Sequence, residues 1–137
     1  MKMTWEYIAG FFDGEGCITL HSNRTNGAKV YKIQISQANV LVLERIKDFL
    51  LENRIYCRVY KDGHWYKEHC KRLCINGYDD VLKFLENIKD KCIVKEQKAN
   101  DAYNIMSDYR PSHVWTRDWN TLDAIKELIA TKGHFEG

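Results

Sequence analysis

Ile8-Ala9-Gly10-Phe11-Phe12-Asp13-Gly14-Glu15-Gly16 decides the reading of this chain. Its apolar residues predict a helix, punctuated by two glycines four residues apart and ended by two carboxylates. Residues four apart lie on one helical face, so Gly10 and Gly14 share a side. Glycine costs a helix about 1 kcal/mol relative to alanine, so the pair needs a packing reason. Small residues at this spacing let two helix backbones approach closely, a rule best documented in membranes. Asp13 and Glu15 then put negative charge at the helix C-terminus, where the dipole disfavours it. Carboxylates so placed, beside a close helix contact, point to a bound cation. The plainer reading is a small helix capped at its end by Gly16.

Outward from this stretch, the patterning organises the whole chain. Thr4 is the expected N-cap of the first helix, with Glu6 in its first turn. Trp5, Ile8, Phe11 and Phe12 give it a wide apolar surface. Period-two alternation predicts strands at 17–24 and 29–37, joined by an Asn26-Gly27 hairpin turn. A helix at 39–52 follows, with Asn39 as cap and Leu43, Ile46 and Leu50 as its apolar stripe. Strands at 55–61 and 65–75 turn near Asp62-Gly63. Helices are expected at 79–89, with Val81, Leu82, Leu85 and Ile88 inward, and at 96–107. Arg110-Pro111-Ser112 breaks the second of these, and 118–131 reads as a last amphipathic helix.

The order αββαββ followed by helices predicts an α+β fold: a four-stranded antiparallel sheet with one face under helices and the other free. The free face presents Thr19, His21, Asn23, Lys32, Gln34, Arg58 and Tyr60, with Ser36 at the end of the second strand. In the fourth strand Leu73 and Ile75 belong to the core, which sends Arg72 to the free face. A slip of one residue would send Lys67, His69 and Lys71 there instead.

At 137 residues the chain is expected to form one domain, residues 1–137, with 110–137 as a helical extension packed on the body through Trp115 and Trp119. It has one proline and no apolar run approaching the ~20 residues of a membrane span. It is expected to be soluble and intracellular, in a compartment left open, with no membrane partner. Five scattered cysteines suit reduced thiols better than a disulfide framework. His64, His69, Cys70 and Cys74 fit no strong zinc signature. The net charge of +2 hides an uneven distribution. Residues 17–37 carry Arg24, Lys29 and Lys32 and no acid. Residues 53–72 carry Arg54, Arg58, Lys61, Lys67, Lys71 and Arg72 against Asp62 and Glu68. The rest of the chain is net negative, so the basic charge sits on the two hairpins, as a nucleic-acid footprint would.

On these residues the chain resembles the LAGLIDADG homing endonuclease family. Ala9, Gly10, Asp13 and Gly16 match the family name letter for letter; Ile8, Phe11, Phe12 and Glu15 are conservative variants and Gly14 is a common one. The resemblance extends over about residues 5–109. It implies that the sheet is a saddle lying in the DNA major groove, where each base pair shows a distinct donor and acceptor pattern. Arg58 suits guanine and Gln34 adenine by residue type; Lys29, Lys32 and Lys61 suit phosphates. A single motif copy implies a homodimer, with Ile8, Gly10, Phe11 and Gly14 packed at its axis.

The resemblance also implies the chemistry. Glu15 would bind a catalytic Mg²⁺, for which Mn²⁺ could substitute, with the Gly14 carbonyl as an added ligand. Gln37 would hold water near the metal, and Lys95, rather than its neighbour Lys98, would be the basic residue facing the site. Asp13 reads better as a structural carboxylate near the helix end. Leu41 stands where some relatives carry a further basic residue, a role Arg45 could fill. The expected activity is metal-dependent cutting of both strands of a long, roughly palindromic duplex, leaving 3′ overhangs. The alternatives are an intron RNA maturase and a non-cleaving DNA-binding regulator on the same fold.

Overall fold

The last turn of the helix that ends at Glu15 and the turn at 93–95 are joined by each other's side chains. The computed structural model describes residues 2–22, 29–61, 71–108 and 118–125, without the side chains of His21, Ser22, Lys29 and Lys61. The order is α1 (Trp5–Glu15), β1 (Gly16–Ser22), β2 (Lys29–Gln37), α2 (Val40–Glu52), β3 (Arg58–Lys61), β4 (Lys71–Ile75), α3 (Tyr78–Ile88) and α4 (Glu96–Asp108); residues 119–125 are helical. The Asn26-Gly27 and Asp62-Gly63 turns, the first part of the fourth predicted strand and residues 126–131 of the last predicted helix lie outside the described residues, as do His64, His69 and Cys70.

Local signals start the helices where the sequence predicts. Thr4 Oγ1 accepts the Tyr7 N–H at 3.1 Å, and Asn39 Oδ1 accepts the Val42 N–H at 3.2 Å. Helix α2 ends in a tight reversal in which the Arg54 N–H donates to Leu51 O and the Ile55 N–H to Leu50 O. Arg54 takes the left-handed conformation there, φ 63°. That reversal holds 55–57 off the ladder, so β3 begins at Arg58 and not at Ile55.

The sheet order is β1-β2-β4-β3, all neighbours antiparallel. Ile18, Ile33 and Ile75 fall in one row, and Ile35 and Leu73 in the next. All five are buried beneath the helices, with Ile8, Ala9 and Phe12 of α1, Leu43, Ile46 and Leu50 of α2, and Phe84, Leu85 and Ile88 of α3. Among the inward residues expected of α3, Leu82 is only partly buried, and Phe84 takes the central place. Its ring meets Trp5 and Phe12 edge-on at 6.1 and 5.4 Å. Among the described cysteines Cys17, Cys57, Cys74 and Cys92 are free thiols, and burial pushes those of Cys57 and Cys92 up to about 12 and about 11.

The last turn of an α-helix has carbonyls without intrahelical donors, and the first turn has N–H groups without acceptors. Asp13 Oδ2 accepts the N–H groups of Ile93 and Val94 at 2.7 and 3.0 Å, and Oδ1 that of Lys95 at 2.9 Å. In return Lys95 Nζ donates to the Asp13 carbonyl at 2.6 Å. A carboxylate from α1 thus ties down the turn at 93–95 that leads into α4, and a cation from that turn caps the end of α1, each of the sign the dipole favours. Partial burial works to raise the Asp13 pKa, but the three N–H groups and Lys95 outweigh it and hold the carboxyl below its ordinary range.

Gly16 then turns the chain straight from α1 into β1. Its φ of −91° and ψ of 168° are extended, so it is not the left-handed glycine cap of the plainer sequence reading. Glycine is required for space: an added Cβ would lie 1.9 Å from the Phe12 ring, which is buried against Phe84 and cannot swing away.

Two stability predictions follow from these contacts. Gly16→Ala is expected to cost about 1–3 kcal/mol in urea denaturation, the range for overpacking a filled core. The Asp13 pKa is depressed, so its contribution is complete above the ordinary aspartate pKa and lost as pH falls through the lowered one. The stability gap between the native chain and Asp13→Asn should therefore be constant at neutral pH and close at acid pH. Urea titrations across that range check it.

Candidate functional site

Glu15 is the last residue of α1 and is exposed. It has no hydrogen-bond or ion-pair partner among the described residues, nor do these hold any group of three or more His, Cys, Asp or Glu fit to bind a metal. The reciprocal cap brings Lys95 to the same helix end. Its ammonium also lies 5.7 Å from the Phe12 ring centre, whereas Lys98 is exposed one turn into α4. The ladder puts Gly16 opposite Ile35, so Gln37, two residues further along β2, stands at the end of the sheet where α1 enters. Its Oε1 accepts the Ala38 and Asn39 N–H groups at 2.9 and 3.4 Å. Lys71 is paired opposite Gln37 and Lys61, which adds a basic residue at this end; the sequence places it on the free face only in the slipped register. Leu41, 70% exposed, and Arg45 line a cavity of about 140 Å³ with Met3, Tyr7, Asn39 and Val42.

The outward side of α1 is open. Gly10 and Gly14 are exposed, and nothing beyond the helix's own turns lies within 4 Å of where a Cβ would stand on either. Tyr7 and Phe11 stack beside them at 6.2 Å. Ile8 corrects the expectation: it is 0% exposed, points into the chain's own core and has no surface for a partner. Its position, two residues from Gly10, is about 160° away around the helix.

The register also assigns the free face. Thr19 is paired with Lys32, Cys17 with Gln34, Gln34 with Cys74, Ser36 with Arg72, Arg58 with Cys74 and Tyr60 with Arg72. These positions alternate with the buried isoleucines and Leu73, so they share the face away from the helices. Arg72 is there and Lys71 is not, which removes the one-residue slip. Asn23 and Arg24 lie outside the described residues, and for His21 and Lys29 only the backbone pairing, with Val30 and Ser22, is described. Cys74 is 1% exposed although it stands on this face, with its thiol against the Tyr60 hydroxyl at 2.9 Å. This contact raises the Tyr60 pKa. Alternation with Leu73 and Ile75 is the available signal for Cys74, which the sequence reading weighs only as a zinc ligand.

Residues 118–125 meet the body through Arg54. Its guanidinium pairs with Asp123 and lies 5.7 Å from the Trp119 ring centre.

A LAGLIDADG-like domain model matches residues 3–89. No curated protein sequence matches the chain. Several solved structures share the fold. The homing endonuclease I-CvuI in complex with the I-CreI target aligns with a TM-score of 0.60 at 18% identity, over 75% of this chain and 65% of that one. The archaeal intron-encoded homing endonuclease I-Vdi141I complexed with DNA aligns at 0.53 and 19%, over 88% and 92%. The LAGLIDADG homing endonuclease I-GzeII in complex with its DNA target aligns at 0.64 and 19%, over 93% and 44%. This chain thus spans less than two thirds of the I-CvuI chain and under half of the I-GzeII chain, and identities this low speak to fold alone. With the domain match covering α1 through α3, the chain belongs to the LAGLIDADG homing endonuclease family.

Proposed function

We propose that this chain is a site-specific DNA endonuclease that works as a homodimer and cuts both strands of a long, near-palindromic duplex, leaving 3′ overhangs. The observation that carries this reading is Glu15, an exposed carboxylate without a partner among the described residues, at the end of a helix whose outward face is bare glycine backbone. Inside one chain those glycines are a cost of about 1 kcal/mol each, and nothing among the described residues needs them. A second α1 crossing at Gly10 and Gly14 accounts for them, with Phe11 beside the contact. It would bring two Glu15 carboxylates into one volume.

The donor chemistry fits a hard divalent cation. Carboxylate oxygens, with the Gly14 carbonyl beside them, suit Mg²⁺ or Mn²⁺. One chain offers only part of such a set, which a second copy would complete. The bound cation would supply charge neutralisation at the phosphate and activation of water. Glu15 holds it at the junction of α1 and β1. Gln37, whose Oε1 is committed to Ala38 and Asn39, keeps its amide N–H₂ to orient water. Lys95, anchored on the Asp13 carbonyl, keeps a fixed positive charge beside the reacting phosphate. The free face of the sheet lies in the major groove, with Thr19, Lys32, Gln34, Ser36, Arg58 and Arg72 toward the bases and phosphates.

The test is cleavage of a randomised duplex library with Mg²⁺, reading the cut ends. Cuts at one long, near-symmetric sequence are expected. Glu15→Gln should abolish them, by at least a hundredfold, while retaining binding to the same duplex; cutting by that variant would remove Glu15 from the metal site. Sequence-selective binding by the native chain without cuts would make it a DNA-binding regulator. Gly10→Leu should turn the sedimenting species from dimer to monomer with the helical circular dichroism intact, and a monomeric native chain would refute the shared site.

A further inference from the structure

The open face of the sheet is ordered in rows, and the row nearest Glu15 is built differently from the next. Tyr60, Arg72 and Ser36 form the first row across β3, β4 and β2. Arg58, Cys74, Gln34 and Cys17 form the second, about 7 Å further from the end where α1 enters. In the first row the Arg72 guanidinium carbon lies 4.8 Å from the centre of the Tyr60 ring. The Tyr60 hydroxyl reaches back across the row to the Cys74 thiol at 2.9 Å. Cys74 is 1% exposed and lies outside the core cluster beneath the helices. A buried thiol therefore holds the tyrosine, and the tyrosine holds the guanidinium plane.

Two consequences separate Arg72 from the other arginine on this face. The Tyr60 ring beneath it orders the Arg72 guanidinium; Nε is covered and has no hydrogen-bond partner among the described residues, so the terminal nitrogens are the ones that can meet a ligand. An arginine ordered before it meets its ligand loses less rotamer freedom on binding. Arg58 is exposed on the edge strand β3 and has no such support among the described residues. The planar fork of a guanidinium matches O6 and N7 of guanine in the major groove, and the supported fork is that of Arg72.

We propose that Arg72 is the guanine-reading side chain of this interface, that Tyr60 and Cys74 are positioning residues for it, and that the guanine lies at the innermost position of each half-site that the sheet specifies. This corrects the sequence-based preference for Arg58, and it rests on the free face being the DNA surface.

The experiment is binding selection on a randomised duplex library with Ca²⁺ in place of Mg²⁺, followed by sequencing, for the native chain, Arg72→Gln, Tyr60→Ala and Arg58→Gln. The native chain should select a guanine at one symmetry-related pair of inner positions. Arg72→Gln should lower that preference tenfold or more, toward adenine, and leave other positions intact. Tyr60→Ala should broaden the same position alone, an effect that a loss of folding would not confine to one base pair. Arg58→Gln should act at a different position. The proposal is overturned if Arg72→Gln leaves the inner guanine unchanged, or weakens all duplexes equally with a shallower salt dependence, which marks a phosphate contact. Selected duplexes that the native chain never cuts with Mg²⁺ would end the endonuclease reading and leave this proposal standing. No selection of any duplex would end both.

Discussion

Everything at this site depends on the exchange between Asp13 and the turn that opens α4. Helix ends are where backbone groups lack partners, and here two ends some 80 residues apart in sequence complete each other. The carboxylate takes three N–H groups, and the ammonium takes a carbonyl. Neither contact is only a surface ion pair, because the carboxylate binds the backbone N–H groups of the turn at 93–95 and the ammonium binds a carbonyl in the last turn of α1. The exchange fixes the point at which α1 stops, and so where Glu15 emerges. It also brings Lys95 there from a separate element. Gly16 completes the geometry by letting the chain enter β1 over the Phe12 ring.

The sheet adds a second constraint. Its strands carry isoleucine and leucine on one side and polar or basic residues on the other, so one register buries the first set and presents the second. A slip by one residue would exchange the two sets. This is why Arg72 and not Lys71 faces outward. The order β1-β2-β4-β3 places β1 and β3 at the edges and puts Ser36, Arg72 and Tyr60 in the row at the end of the sheet where α1 enters. The free face and the candidate metal site are therefore neighbours by construction, not separate features joined by a loop.

Much of this was legible in advance because it rests on local signals. The caps at Thr4 and Asn39, the alternation through Tyr31, Ile33 and Ile35, and the glycine spacing in α1 each act within a few residues. The same locality explains the errors. Trp5, Ile8, Phe11 and Phe12 make α1 apolar around most of its circumference, so the pattern does not say which part meets the core; Ile8 went inward and Phe11 stayed at the margin. Strand β3 was expected at Ile55, since Ile55 and Cys57 are buried; but burial does not imply pairing, and the left-handed Arg54 keeps that stretch off the sheet.

By itself the sequence determined the element order, the two-sided sheet, the identity of Glu15, Gln37 and Lys95 as candidates, and the family to which the chain belongs. Those depend on residue type and spacing along one short stretch at a time. Tertiary structure alone decided that Asp13 ties down the turn before α4, that Gly16 is needed for space and not for a left-handed turn, and that Cys74, Tyr60 and Arg72 form one stack. Each of these is a contact between residues separated by between 4 and 82 positions. Even the shortest depends on how a ring packs against another helix, and no periodicity along the chain records a partner chosen by packing.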